Sequence, residues 1–215
     1  MKKVILCAVL IVCSFTNLLA QTDVQAKSIL AEVSKKYKSY NVVKAVFTAQ
    51  IENPQANLKE TQNGTLYAKS KTNSYKVILN EQELISDGKS QWTYLKEDKE
   101  VQLSDVDTES DALNPAKLFT IHEKGFKQLY TGDTKSNGKT YHNIDLTPVG
   151  KSSFFKVRLK IDKLTKHIQS ATIFDKNGSR YTYTINSFTP NIKVPDTFFS
   201  FDAKKYPGVE VVDLR

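Results

Sequence analysis

Three histidines are the side chains in this sequence best suited to acid–base or metal chemistry: His122, His142 and His167. No two of them stand four residues apart, so the chain has no zinc motif of the HExxH type. No serine stands in a G-x-S-x-G sequence, which typically carries the nucleophile of α/β-hydrolases. We therefore predict that the protein is not an enzyme. A hydrolase with His142 or His167 at its centre stays open as an alternative.

Two loops match known ion-binding sequences only in part. Gly132–Thr140 has one residue too many between its glycines for a phosphate-binding loop, and an alternating segment follows it instead of a helix. Acidic residues alternate from Asp105 to Asp111 as in a calcium loop. However, Ser110 stands where glycine is needed, and Ala116 replaces the final glutamate. We predict that the first segment is a hairpin loop and that the second is a solvated acidic loop. We predict no metal or other cofactor.

The first twenty residues have the pattern of a secretory signal peptide. Met1-Lys2-Lys3 precedes an apolar run that extends to Leu19 and closes on Ala20. The run is too short to span a bilayer comfortably, so we predict cleavage after Ala20; an uncleaved anchor is the alternative. Both cysteines lie within this segment. The predicted mature domain, residues 21–215, therefore has no thiol for a disulfide, a zinc site or a nucleophile.

The basic charge of the chain is spread out. The formal net charge of +8 falls to +6 without Lys2 and Lys3, and the remaining lysines are scattered among acidic residues. Only three arginines are present, Arg158, Arg180 and Arg215. A nucleic-acid surface usually clusters basic residues and favours arginine, so we predict no nucleic-acid partner.

The period of the hydrophobic pattern changes near residue 40. Asp23 to Lys38 predicts a helix, with Asp23 as its N-cap and one apolar face: Ala26, Leu30, Val33 and Tyr37. From Val43 to Ile51 every odd position is apolar, which predicts a half-buried strand. Asn114-Pro115 predicts the start of a second, short helix over Ala116–His122.

Short strand-like segments make up most of the remaining chain. They are Gly64–Lys69, Ser74–Asn80, Glu83–Ser86, Ser90–Leu95, Glu100–Leu103, Phe126–Thr131, Lys139–Leu146, Phe154–Asp162, His167–Phe174 and Arg180–Phe188. Asn-Gly or Asp-Gly pairs predict tight turns at Asn63, Asp87, Asn137 and Asn177. The links are too short for helical crossovers, so we predict an antiparallel meander.

One face of this sheet must be buried. In Phe154–Asp162 the odd positions from Phe155 to Ile161 are apolar and the even positions from Lys156 to Lys160 are basic. The two predicted helices supply only about two dozen residues to cover the apolar face of roughly ten strands. The uncovered part must be closed by barrel formation or left as a cavity.

The segment from Ile85 to Tyr94, with Asp87-Gly88-Lys89 followed by Trp92 and Tyr94, resembles a hairpin typical of the LolA-type outer-membrane lipoprotein carriers. In chain order, the other similar features are Phe47 with Gln50, Gly64 with Leu66 and Lys69, Asn114-Pro115, Phe199-Ser200-Phe201, and Pro207-Gly208-Val209-Glu210-Val211. The ordered set covers nearly all of the predicted mature chain.

The resemblance implies a mainly β fold, in which a strongly curved antiparallel sheet forms an incomplete barrel with two or three helices as a lid over an apolar cavity. It also implies a monomeric periplasmic chaperone for acylated lipoproteins. The partners would be an inner-membrane ABC-type lipoprotein exporter and an outer-membrane receptor. A module of the same fold that senses lipid or envelope stress is the alternative.

The residues expected to line the cavity and the lid follow from the apolar pattern and the resemblance. They are Phe47, Ala49, Leu66, Tyr75, Val77, Trp92, Tyr94, Leu118, Phe119, Phe155, Val157 and Leu159. The family often carries Arg-Pro where this chain has Lys69-Ser70-Lys71, and that arginine is expected to fasten the lid. Lysine lacks the planar, forked donor set of arginine, so the resemblance leaves the fastening of the lid open here.

Overall fold

The computed structural model describes residues 23–106, 118–123 and 125–215. Twelve strands in these residues form one sheet, and each predicted strand segment corresponds to one of them. The strands are β1 Val42–Asn53, β2 Leu58–Lys69, β3 Ser74–Ile78, β4 Gln82–Asp87, β5 Ser90–Leu95, β6 Glu100–Asp105, β7 Phe126–Ser136, β8 Lys139–Pro148, β9 Phe154–Asp162, β10 Ile168–Asp175, β11 Arg180–Pro190 and β12 Glu210–Asp213.

The sheet is open, and its order is β12-β6-β5-β4-β3-β2-β1-β11-β10-β9-β8-β7. Neighbouring strands are antiparallel, as the short links predict, except that β12 is parallel to β6. The two halves of the chain meet where β1 pairs with β11. The fold is therefore mainly β and the barrel is incomplete, as the sequence predicts.

Residues 23–38 form the helix α1, as predicted. Its apolar face is buried against one side of the sheet, which we call the inner face, and the buried side chains are Ala26, Ile29, Leu30, Val33 and Tyr37. They share one core with residues of β1, β2, β3 and β8 to β11. Within the described ranges, no helix is long and apolar enough to cross a membrane.

The second predicted helix is only partly described. Residues 118–119 and Ile121–Glu123 form 3-10 turns, so the described residues contain one α-helix rather than two or three. Leu118 and Phe119 are nevertheless buried in the core beneath α1. The predicted signal peptide, most of the predicted acidic loop and the Asn114-Pro115 helix start lie outside the described residues.

Asn63-Gly64 lies inside β2, so the turn predicted there is wrong. Gly64 pairs with Phe47 of β1, and the hairpin turn is at residues 54–57 instead. Gly64 stands in the strand because the ring of Phe47 lies against it. The other three Asn-Gly or Asp-Gly pairs do form turns, and the glycine of each has a positive φ.

Phe155 points away from the core, contrary to the prediction. The register between β9 and β10 skips this residue, so it forms a β-bulge. Phe154 is buried in the core, whereas Phe155 is 51 % exposed on the opposite side of the sheet, the outer face. The later odd positions of β9 do point inward, as predicted: Val157, Leu159 and Ile161.

The C-terminal segment covers part of the outer face before it ends in β12. Phe198 packs against Tyr67 of β2, with ring centroids 4.9 Å apart. Tyr206 packs against Tyr94 of β5, with centroids 4.8 Å apart. Trp92 pairs with Ile85 across β4 and β5, on this same outer face. Trp92 and Tyr94 are therefore not on the inner face, where the sequence placed them.

Candidate ligand-binding face

The three histidines lie in separate parts of the structure. His122 is hydrogen-bonded to Ser34 at 2.7 Å, His142 to Asp133 at 2.6 Å and His167 to Tyr40 at 3.0 Å. Each pair joins neighbouring elements of the fold: α1 with the Ile121–Glu123 turn, β8 with β7, and the residues after α1 with those before β10. The histidines are thus not brought together into one site.

Five apolar side chains on the inner face are packed against the core and remain partly open to solvent. We call them the inner strip: Ala49, Leu79, Leu84, Tyr181 and Tyr183. Ala49 pairs with Tyr183 across β1 and β11, which joins the two halves of the sheet. Leu84 pairs with Val77 across β4 and β3, so the strip continues toward β4.

Phe47 is the buried centre of the inner strip. Its ring is 6.1 Å from that of Tyr183, and both its ring and the Leu79 side chain lie against Gly64. Burial, with a smaller contribution from Tyr181, raises the pKa of Tyr183 above 10, so this phenol is neutral at neutral pH. The strip is thus an uncharged apolar surface on which a hydrocarbon chain could lie.

Four predicted cavity residues are packed inside the core. Leu66, Val77, Val157 and Leu159 are at most 1 % exposed. A hollow large enough for water would leave accessible area on the side chains around it, so none touches these four. They belong to the same core as the apolar face of α1. A ligand that reaches them must therefore displace side chains of this core.

The predicted residues fall into four groups. Phe47, Leu66, Tyr75, Val77, Val157 and Leu159 lie in the inner-face core, Ala49 lies on the inner strip, and Leu118 and Phe119 lie beneath α1. Trp92, Tyr94 and Phe155 lie on the outer face. The sequence reading missed the other four members of the strip. The alternation of Tyr181 and Tyr183 within β11 indicates that they share one face of the strand, and it could have pointed to them. The positions of Leu79 and Leu84 on the inner face depend on the register between strands, which the sequence does not show.

A cavity of about 330 Å³ opens where the C-terminal end of α1 meets the β2–β3 turn. Tyr75, the one predicted site residue in its wall, lies there with Tyr37 and Ala68. Lysines, hydroxyls and Glu123 make up much of the remaining wall. This volume is at the lower end of the range of small-molecule sites. The mixed lining distinguishes it from the apolar inner strip.

Several contacts hold α1 on the sheet. Lys38 forms an ion pair of 2.7 Å with Glu123, and Tyr37 stacks on Phe119 with ring centroids 5.0 Å apart. Burial raises the pKa of Tyr37, with a smaller contribution from Glu123. At the other side of the helix, Lys166 pairs with Glu32 at 2.9 Å.

The hydrogen bond between Ser34 and His122 lies partly buried among these contacts. Burial lowers the pKa of His122 below its usual value, and the charge of Lys38 lowers it further, while Glu123 acts in the opposite direction. The imidazole is therefore neutral at neutral pH. A few polar contacts and one apolar face therefore attach α1 to the rest of the protein.

Within the Lys69-Ser70-Lys71 segment, Ser70 and not Lys69 contacts the residues at the end of the helix. Lys69 turns to the outer face, where its ammonium is 2.7 Å from Asp196 and lies over the ring of Phe199. Ser70 donates a hydrogen bond to the carbonyl of Tyr40, just after α1. The end of the helix is thus tied down by a serine hydroxyl.

A family model, "Outer membrane lipoprotein carrier protein LolA", matches residues 38–202. These residues contain β1 to β11 and the site described above. A search of curated protein sequences gives no significant match.

Solved structures show the same fold at low sequence identity. An uncharacterized conserved protein from Thermus thermophilus is 14 % identical, with a TM-score of 0.60 over 88 % of this chain and 99 % of that one. A proposed outer membrane lipoprotein-sorting protein domain from Vibrio parahaemolyticus is 12 % identical, with a TM-score of 0.53 over 83 % and 97 % of the two chains. At such identities, the likeness supports the fold alone.

Proposed function

Because the chain belongs to the LolA family of outer-membrane lipoprotein carriers, we propose that it shelters the acyl chains of lipoproteins and carries them between two membranes. In this role it works as a monomer in the periplasm. It receives its cargo from an inner-membrane ABC-type exporter and delivers it to the outer membrane or to a receptor there. The role includes no catalytic step.

The inner strip is the observation that carries the proposal. It is an apolar surface beside Phe47 that spans both halves of an open sheet, from Leu84 to Tyr183. Exposing acyl chains to water costs about 0.8 kcal/mol per methylene, so an acylated protein cannot diffuse across water without such shelter. The strip offers a first contact for one chain while α1 is still in place.

Deeper binding exchanges α1 for the ligand. The apolar face of α1 shares one core with Leu66, Val77, Val157 and Leu159. Acyl chains can take the place of the helix in this core. The ligand then binds with its own burial energy minus the cost of displacing the helix. This difference keeps the affinity moderate, which allows release at the receiving membrane.

The experiment is a displacement assay with the purified mature protein. Binding of the apolar dye N-phenyl-1-naphthylamine should raise the dye's fluorescence, and a synthetic triacylated lipopeptide should reverse the increase. The same peptide without acyl chains should have no effect. The absence of displacement by the lipopeptide would contradict the proposal.

A matched pair of variants locates the site. Leu84→Glu places a charge on the inner strip and should weaken dye binding at least about tenfold, because the bound dye would bury a charge without a partner. Leu164→Glu places the same charge at a side chain that is 90 % exposed and should leave binding unchanged. Equal binding by both variants would show that the ligand lies elsewhere.

A further inference from the structure

A surface patch of a different kind lies on the outer face, at the end of the sheet where β8 ends and β9 begins. Its centre is Phe155, which the bulge in β9 turns outward and leaves 51 % exposed. Bulges commonly re-aim a side chain next to a functional site. Phe155 lies beside Phe174, with ring centroids 6.1 Å apart.

Two cations are held against the same aromatic pair. The ammonium of Lys156 is 4.4 Å from the ring centre of Phe174, and the guanidinium of Arg180 is 5.9 Å from it. Arg180 is exposed. The patch therefore combines an open aromatic ring with cations fixed at its edge.

The β8–β9 loop adds a further apolar side chain and a further cation. Val149 is 65 % exposed, and Lys151 is exposed two residues later. Lys176 ties this loop to the β10–β11 turn, because its ammonium donates to the carbonyl of Ser152 at 2.6 Å. The loop thus lies next to the start of β11, where Arg180 is located.

Positive charge outweighs negative charge in this region. The cations there are Lys151, Lys156, Arg158, Lys176 and Arg180, and the acids that face them are Asp145, Asp175 and Glu52. Asp145 is already engaged by Arg158, with two hydrogen bonds of 2.7 and 2.8 Å. Lys156 shares this carboxylate at 3.8 Å, and Lys176 is held by the carbonyl of Ser152. The exposed Lys151 and Arg180 are therefore the cations left to an anionic partner.

We propose that this patch docks the protein onto an anionic membrane surface. Phe155 and Val149 enter the headgroup region as apolar anchors, and the charged heads of Lys151 and Arg180 contact lipid phosphates. Single side chains that project from a flat sheet suit a lipid interface better than they suit a protein groove. Since the patch is on the outer face, docking leaves the inner strip free for its ligand.

The first test is co-sedimentation of the full mature protein with lipid vesicles. Binding to vesicles of equal parts phosphatidylglycerol and phosphatidylcholine should exceed binding to pure phosphatidylcholine and should fall with added salt. Phe155→Ser should weaken binding to the anionic vesicles about fivefold. Leu164→Ser removes a more exposed apolar side chain from the β9–β10 turn, and it should change nothing.

A second pair of variants tests the charge. Lys151→Glu should weaken binding to anionic vesicles several-fold, whereas Lys89→Glu, with the same change in net charge in the distant β4–β5 hairpin, should not. Equal binding to both vesicle types, or equal effects of the two variants, would overturn the proposal. Binding to an acidic envelope protein but not to vesicles would also overturn it. Dye binding at the inner strip should survive Phe155→Ser, so failure of docking is separable from failure of the carrier role.

Discussion

The ring of Phe47 lies directly over the backbone of Gly64 on the neighbouring strand. A methyl group added to Gly64 would lie 2.5 Å from Cζ of Phe47 and 2.7 Å from Cδ2 of Leu79. Phe47 is fully buried at the centre of the inner face, so its ring has no free space into which it can move. The glycine thus makes room for the largest side chain of this part of the core.

Gly64→Ala should therefore destabilise the protein. Overpacking of a dense core typically costs about 1–3 kcal/mol, and we expect the free energy of unfolding in urea to fall by that amount. Gly150→Ala is the matched control, because a Cβ at Gly150 meets nothing within 4 Å. Its effect should remain within about 0.5 kcal/mol.

The double variant separates the clash from other effects of the alanine. Phe47→Leu alone should destabilise the protein through a cavity, but in the Gly64→Ala background the shorter side chain should cost less. A strictly additive double variant would show that the ring of Phe47 is not what excludes the methyl group.

The single tryptophan should be insensitive to a ligand on the inner face. Trp92 is on the outer face with Ile85, while the inner strip is on the opposite side of the sheet. A brominated fatty acid that binds to the strip should quench Trp92 weakly. In the variant Trp92→Phe with Leu84→Trp, the new indole lies on the strip and should be quenched several-fold more strongly. Strong quenching of Trp92 in the unaltered protein would place the ligand on the outer face.

The strands could be predicted because their signal is local. Alternation with a period of two, interrupted by Asn-Gly and Asp-Gly turns, needs no knowledge of distant contacts, and the segments Ser90–Leu95 and Phe154–Asp162 match β5 and β9 in full. The face of a strand is harder to predict, because one extra residue reverses it. The bulge at Phe155 is such a residue, and alternation alone does not show it.

The site residues on the outer face were misplaced for a second reason. Trp92 and Tyr94 alternate like core residues although they lie on the outer face, where Tyr206 of the C-terminal segment packs against Tyr94. The alternation shows that Trp92 and Tyr94 share one face of β5, but not which face of the sheet meets α1. The turn at Asn63-Gly64 was predicted wrongly for a similar reason. A glycine stands there because the ring of Phe47 on the neighbouring strand lies against it, and not because the chain turns.

Acidification should weaken the attachment of α1 through His122. Burial lowers the pKa of this imidazole below 6.5, so the unfolded chain takes up the proton more readily than the folded protein does. The resulting stability is present above about pH 6.5 and is lost as the pH falls below it. The free energy of unfolding should therefore decrease between about pH 7 and about pH 5.

His122→Gln is the variant that isolates this effect. Glutamine can still bond to Ser34 but does not titrate, so the decrease between about pH 7 and about pH 5 should be smaller in the variant. The nearby Glu123 stays charged in this interval, because hydrogen bonds from Lys38 and Ser34 outweigh its burial and lower its pKa. The other histidines are the same in both proteins. Identical pH profiles would contradict the prediction.

Asp133 holds together the end of the sheet at β7 and β8. Burial alone would raise the pKa of Asp133, but it accepts hydrogen bonds from Tyr130 at 2.7 Å, Lys163 at 3.0 Å and His142 at 2.6 Å. These bonds lower the pKa to about 2. The charged carboxylate is therefore favoured in the folded protein relative to the unfolded chain.

The stability that Asp133 contributes should disappear at low pH. A lowered carboxylate pKa gives stability that is present above the unfolded value near 3.8 and is lost as the pH falls toward 2. Because the side chain is 28 % exposed, we expect a loss of about 1 kcal/mol rather than the full value of the shift. Asp133→Asn should be less stable than the unaltered protein at neutral pH, and urea titrations should show the gap closing at about pH 2. Asp98→Asn, in the exposed β5–β6 turn, should be as stable as the unaltered protein. A difference in stability for Asp133→Asn that stays constant with pH would mean that the hydrogen bonds do not depend on the charge.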